Sequence, residues 1–426
     1  MRRAIMLILF LLLGCGPQAA EAPGPAVADT TAVAAGSVKT GAQVLVEQGF
    51  EALAGKRVGL IVNHTARVGD THLIDLVHEA PNVTLAALFG PEHGLRGTAE
   101  DGVQVADGRD DRTGAPIYSL YGRTRKPTPE MLRGVEVLVF DIQDVGARFY
   151  TFISTMGLAM QAAAEAGIPF VVLDRPNPLG GVYMAGFVLE PEHTSFVGQY
   201  PIPVAHGLTV GELARMIQGE GLLPGLEALQ LDVIAMEGWE RAMQWPETGL
   251  PWINTSPNIP GFETALVYPG ACFFEATSAS EGRGTETPFT WLGAPWADGP
   301  ALADTLNAHG LPGVRFEAAR FTPRPIEGMD TNPKHEGQAL QGIRYVVTDR
   351  QVFQPVEAGI HVLYAFYRQA PDAAAFLARP EGLARLAGTT RLAAMLTQGT
   401  GPEAVIAAWQ DDVVSFRQRR APYLLY

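Results

Sequence analysis

The segment Val135-Glu136-Val137-Leu138-Val139-Phe140-Asp141-Ile142 decides the fold. Four apolar residues in succession, 137–140, leave no polar face, so a strand built from them must be covered on both sides. Three further segments read the same way: 57–63 (RVGLIVN), 83–89 (VTLAALF) and 169–174 (PFVVLD). Stretches with helical spacing lie between and after them, at 73–79, 151–166 and 209–218. Buried strands alternating with helices specify an α/β fold, a Rossmann-like and mainly parallel sheet with helices on both faces. Past about residue 265 the alternation stops. Segments 314–321 and 343–348 read as strands, and 356–368 and 402–419 as helices, which predicts a smaller α+β domain. The expected division is a Rossmann-like catalytic domain over 41–264, followed by the α+β domain over 265–426. Loops at 250–260 and 280–285, rich in Pro, Gly and Asn, join the two and place a ligand cleft between them.

The chain ahead of these domains reads as an address. Arg2 and Arg3 precede a purely apolar run, 5–13, which closes in Leu12-Leu13-Gly14-Cys15. A basic start, a short apolar stretch and a small residue before the cut describe a secretory signal over 1–15. The run is well short of the roughly 20 residues that span a bilayer. Its last four residues resemble a bacterial lipoprotein box, which implies lipidation at Cys15 and attachment to a membrane surface of the cell envelope. Residues 16–40, mostly small residues and proline, read as a flexible tether. Cys272 then remains alone. Its setting, Ala271-Cys272-Phe273-Phe274, predicts a buried and inert thiol.

The formal net charge of −14 argues against a nucleic-acid partner, which would need a basic face. A singly charged sugar held by a local arginine is compatible with it. No G-x-G-x-x-G follows the first strand, so the Rossmann-like reading carries no dinucleotide, and no cofactor is expected. Gly55-Lys56 precedes a strand instead of a helix and does not make a phosphate loop. There is no G-x-S-x-G elbow and no H-E-x-x-H pair. Carboxylate chemistry is what remains.

In parallel α/β sheets ligands sit beyond the C-terminal ends of the strands. The polar clusters fall there: Asn63-His64-Thr65, then 90–97, then Asp141 to Tyr150, then Asp174 to Pro178. Glu92 is the first catalytic candidate. It lies in a glycine-flanked loop where backbone can approach a ligand, with His93 and Arg96 beside it; the alternative is a loop carboxylate paired with Arg96.

The strings GPEHGLRG (90–97), FDIQDVGARFYTFISTMG (140–157) and DRPNPLGG (174–181) resemble the exo-β-N-acetylmuramidase family typified by NamZ. So do PIPVAHGLTVGELA (201–214), LPWINTSPNIP (250–260) and SEGRGTETPF (280–289). The likeness runs in order from about residue 40 to the C-terminus. Thr255 and Leu340 stand where the family's strings lead one to expect proline and a nearby cysteine. The resemblance implies release of N-acetylmuramic acid from the non-reducing ends of peptidoglycan fragments. It also implies an active site in the cleft between the two domains, with Glu92 as the catalytic acid.

Glycosidic cleavage calls for an acid at the leaving oxygen and usually a second carboxylate as base or nucleophile. Asp144 is the preferred second group, with Glu281 and Asp141 as rivals; Asp141, ending a buried strand, is equally readable as structural. The lactyl carboxylate of muramic acid calls for a planar cation, and Arg148, Arg175 and Arg283 are the candidates, each also readable as a structural partner of an acid. Tyr150 and Trp252 are placed to stack on the sugar or to line the core. Asn63, Asn177 and Asn258 suit hydroxyl or acetamido contacts, His93 flanks the acid, and His206 is a possible assistant. No metal is expected. Two other readings stay open: a muropeptide-binding lipoprotein without catalysis, and a metal-dependent hydrolase using His93, Asp141 and His206.

Overall fold

The computed structural model describes residues 37–92, 94–95 and 108–426. The expected signal, Cys15, most of the tether, His93 and Arg96 lie outside these residues. Seven strands form the larger sheet: β1 (Arg57–Val62), β2 (Thr84–Gly90), β3 (Gly108–Arg109), β4 (Pro116–Ser119), β5 (Val137–Asp141), β6 (Phe170–Leu173) and β7 (Leu231–Ile234). Their order is β3-β4-β2-β1-β5-β6-β7. All neighbours pair in parallel except the short β3 with β4. The chain grows outward from β1 in one direction through β2 and β4, then returns to the other side of β1 with β5. The switch therefore lies between β1 and β5, and a ligand crevice is expected above it.

The decisive segment behaves as its composition requires. Leu138 and Phe140 face one core with Ile61, Phe89 and Val172, while Val137 and Val139 face another with Leu60, Val62 and Leu88. This is the two-residue alternation of a strand with apolar residues on both faces. Helices α1 (Gly41–Glu47), α2 (Leu73–Glu79), α3 (Phe152–Ala166) and α4 (Val210–Gly219) cover the sheet. The last begins at Thr209 with a capping box to Glu212, which satisfies two of the amide groups that a helix start leaves open.

The second half begins with α5 (Phe262–Ala271) and builds a three-stranded antiparallel sheet. Its strands are β8 (Trp291–Ala294), β9 (Val314–Phe321) and β10 (Leu340–Val347), in the order β8-β10-β9. Helices α6 (Gly299–Ala308) and α7 (Pro355–Gln369) pack on it. The helix expected over 402–419 is divided into α9 (Pro402–Ala407) and α10 (Gln410–Arg420), after α8 (Pro380–Ala387). The break turns Trp409 inward, where it is 1% exposed and meets Phe187 edge-on. Cys272 is free and buried, as its apolar setting predicts.

One apolar core runs through both halves, from Phe140 and Phe152 to Phe274, Phe316 and Phe366. Helices α5 and α7 touch backbone to backbone within it. A Cβ added at Gly359 would lie 2.4 Å from the Cα of Gly270, so only glycine permits the approach. Among the described residues no helix is long and apolar enough to cross a membrane.

Candidate active site

A cleft of about 510 Å³ opens where the β2 and β5 strand ends meet α5 and the loops after it. Glu92 stands on its rim, two residues past the end of β2. The hydroxyl of Thr151, the residue that starts α3, donates to Glu92 Oε2 at 2.8 Å. That bond orients the carboxylate on the rim of the cleft. Tyr150, next in the chain, also lines the cleft and donates to Thr255 Oγ1 at 2.9 Å. This ties the segment after β5 to the 250–260 loop. Asn258 reaches the same cleft and donates through Nδ2 to the Met329 carbonyl.

The facing wall comes from the turn after α5. Glu275 and Arg283 both line the cleft, and Arg283 Nη2 donates to Glu275 Oε1 at 2.8 Å. Glu281 stands one layer behind, 3% exposed, with Lys334 Nζ at 2.8 Å and Arg283 Nε at 3.5 Å. It lines a smaller adjoining hollow that shares Glu275 and Arg283 with the cleft. Aromatic surface is supplied by Tyr121, Phe196 and Tyr268. The guanidinium of Arg125 lies over the Phe196 ring, 4.3 Å from its centre, and Arg385 adds a third cation to the rim.

Several sequence expectations are corrected by this arrangement. Asp144 is not on the cleft wall. It is buried and accepts from the Gly146 amide at 2.6 Å. Burial pushes its carboxyl up to about 7, against the opposing pull of the Gly146 and Val145 amides. Asp141 is fully buried, and both its oxygens accept from Arg175, the second at 3.0 Å from Nη2. That pair holds the ends of β5 and β6 together and leaves neither residue to a ligand in the cleft. Arg148 is fully buried and donates to the carbonyls of Phe187, Ile202 and Leu386; it joins the two halves of the molecule.

His206 is likewise enclosed, accepting from the Leu208 amide through Nδ1. Burial, helped by Arg420 and Arg148, drives its pKa down to about 3, so it is neutral at working pH. Asn63 closes a turn on Thr65, and Asn177 does the same with Leu179 while donating to the Leu208 carbonyl. Trp252 packs edge-on against Trp245 and Phe262 and donates to the Ile259 carbonyl, bracing the 250–260 loop from behind. The proposed metal trio also fails on its described members, because Asp141 is committed to Arg175 and His206 is sealed beside Asp144.

Glu275, Arg125, Arg385, Thr151 and Tyr268 were not expected from the sequence. Glu275 follows directly on the run 271–274, and reading that run as core hides the carboxylate at its end. An acidic residue closing an apolar run, the same signal that drew attention to Asp141, marks it in retrospect.

Asp144 supplies a pH test. Its proton is retained in the folded chain up to about pH 7 and lost near pH 4 in the unfolded chain. Across that window the native state binds the extra proton, so stability falls as pH rises. Asp144→Asn is expected to unfold at higher temperature than the parent at pH 7.5, with the gain vanishing near pH 4. Melting curves across that range check it; a gain independent of pH would contradict the assignment.

The N-terminal model of the exo-β-N-acetylmuramidase NamZ family matches residues 58–263, and its C-terminal model matches residues 266–426. The peptidoglycan β-N-acetylmuramidase NamZ of Bacillus subtilis (strain 168) is 43% identical over 427 residues, covering 100% of both chains. A crystal structure of a DUF1343 family protein from Bacteroides fragilis NCTC 9343 superposes with a TM-score of 0.84 at 42% identity, covering 92% of this chain and 99% of that one. A second protein of that family from the same organism gives 0.75 at 33% identity, with the same coverage.

Proposed function

This chain belongs to the exo-β-N-acetylmuramidase NamZ family, and from that premise we propose that it releases N-acetylmuramic acid from the non-reducing ends of peptidoglycan fragments. The observation that carries the proposal is the pairing across one cleft of Glu92, oriented by Thr151, with Glu275, held by Arg283. Glu92 is the general acid that protonates the leaving oxygen. Glu275 is the second carboxylate, facing the positive charge that develops at the anomeric carbon. The aromatic rings of Tyr121, Phe196 and Tyr268 supply the apolar faces that a pyranose ring packs against. Activity on a chromogenic N-acetylmuramide beside the matching N-acetylglucosaminide tests the reading; hydrolysis of the second alone would overturn it.

Arg125 is the cation for the lactyl carboxylate. Among the described residues it has an aromatic platform but no acidic partner, whereas Arg283 is already engaged by Glu275 and Glu281. Arg125→Ala is expected to raise KM for the muramide about tenfold, the loss of one charge-assisted bond, with kcat little changed. Its KM for the glucosaminide should stay as it was. Equal losses on both substrates would show that Arg125 shapes the rim without reading the lactyl group.

The division at about residue 265 and the anchoring at Cys15 complete the proposal. The protein is exported and held at a membrane surface of the cell envelope by acyl chains on Cys15. Cys15→Ala should then move the protein from the membrane fraction to the soluble one, and unchanged fractionation would refute the anchor.

A further inference from the structure

Away from the cleft, three side chains from three separate helices converge on one point. His309 caps the C-terminal end of α6, His361 lies in the middle of α7, and Glu403 lies in the first turn of α9. Each offers one donor atom within 4.8 Å of the others. His309 Nδ1 stands 3.5 Å from Glu403 Oε1, and the two imidazole rings lie 4.7 Å apart between centres. His361 is 6% exposed, and its Nδ1 is buried without a hydrogen-bond partner. A buried polar atom left in that state is costly unless something occupies it.

We propose that His309, His361 and Glu403 form a divalent-metal site, with zinc as the ion its donors fit. Two imidazole nitrogens and one carboxylate oxygen are a borderline-soft set that suits zinc and leaves magnesium and calcium, which want oxygen ligands, poorly served. Metal–ligand bonds of about 2.0–2.1 Å place tetrahedral donors about 3.4 Å apart. His309 and Glu403 already stand at that separation. The side chain of Glu403 is long and 68% exposed, which leaves it free to adjust its rotamer toward the ion. A water fills the fourth position. One carboxylate charge against two on the ion leaves the site attractive to zinc without a second acid.

Neither histidine nor Glu403 lines the cleft, so the ion is a structural clip joining α6, α7 and α9 and takes no part in hydrolysis. This separates it from a metal-dependent reaction at Glu92. The inference does not rest on the muramidase reading, and each can fail without the other.

The test uses full-length, tag-free protein stripped with chelator and dialysed. Titration with zinc chloride in a calorimeter should show one site per chain. Saturating zinc should raise the Tm by about 3 °C, and magnesium should leave it unchanged. His361→Ala should lower zinc affinity at least 100-fold. Because His361 is buried within the packed α7, His309→Ala and Glu403→Gln are measured beside it. Both are surface changes expected to keep the chelator-treated Tm of the parent, and each should weaken zinc at least tenfold. Muramidase turnover should be the same with zinc and with chelator. Unchanged zinc affinity in His309→Ala and Glu403→Gln, or no binding at 1 mM zinc on the order of a weak surface site, would overturn the proposal.

Discussion

Glu92→Gln is expected to lower kcat by about 1,000-fold on a substrate with a sugar leaving group, with ligand affinity nearly unchanged. The amide keeps the size of the side chain and can still accept from the Thr151 hydroxyl that orients the parent carboxylate. What it lacks is a transferable proton. The choice of substrate matters, because a general acid helps in proportion to the basicity of the oxygen it protonates. A nitrophenolate leaves without assistance, so the same variant should lose far less on a nitrophenyl muramide. Turnover measured on both substrates, with affinity from calorimetry, gives a pattern that a misfolded site does not reproduce. Equal losses on the two substrates would remove Glu92 from the acid's role. A parent protein that binds muropeptides but turns over neither substrate would return the reading to a binding lipoprotein.

The second large effect lies at the ends of β5 and β6. Arg175→Ala is expected to cost about 3–5 kcal/mol of stability in urea unfolding, because it leaves the Asp141 carboxylate buried and unpaired. Both partners are enclosed, Asp141 completely, and their two-point contact joins the ends of adjacent strands β5 and β6. Arg175→Lys keeps the charge but loses the planar two-point fit, so it should fall between the parent and the alanine variant. Removing both charges by replacing Asp141 and Arg175 together with apolar residues should cost less than the single change, since nothing charged then remains inside. If Arg175→Ala unfolds at the parent's urea midpoint, the ion pair is not what holds these strand ends.

The same pair shows why the sequence was legible for the fold but less so for the site. The sheet follows from local composition. Residues 137–140 dictate a strand buried on both faces whatever surrounds them, and the two-residue alternation of Leu138 and Phe140 against Val137 and Val139 delivers it. Short or edge strands such as Pro116–Ser119 and Leu231–Ile234 carry no comparable run, and they escape such a reading. A polar residue at a strand's C-terminal end has two uses. It can face a ligand, or it can satisfy the backbone and charges that the sheet's own rim leaves open. Glu92 lines the cleft and in the proposed function does the first, while Asp141, Asp144, Arg148, Arg175 and His206 do the second. Local sequence does not separate these uses. Glu275 was hidden for the opposite reason: it is far from Glu92 in the chain, and only the packing of α5 against the first half brings it across the cleft.

The contact of Gly270 with Gly359 bears on how a substrate is received. Side chains that interlock can trade rotamers and let two helices slip, whereas two main chains in direct touch have nothing to rearrange. Tyr268 lies two residues before that contact and Glu275 five after it, so this wall is set like a die before any guest arrives. Little ordering cost is then charged to docking, and sugars that differ in fit should be told apart by how long they stay and not by how fast they enter.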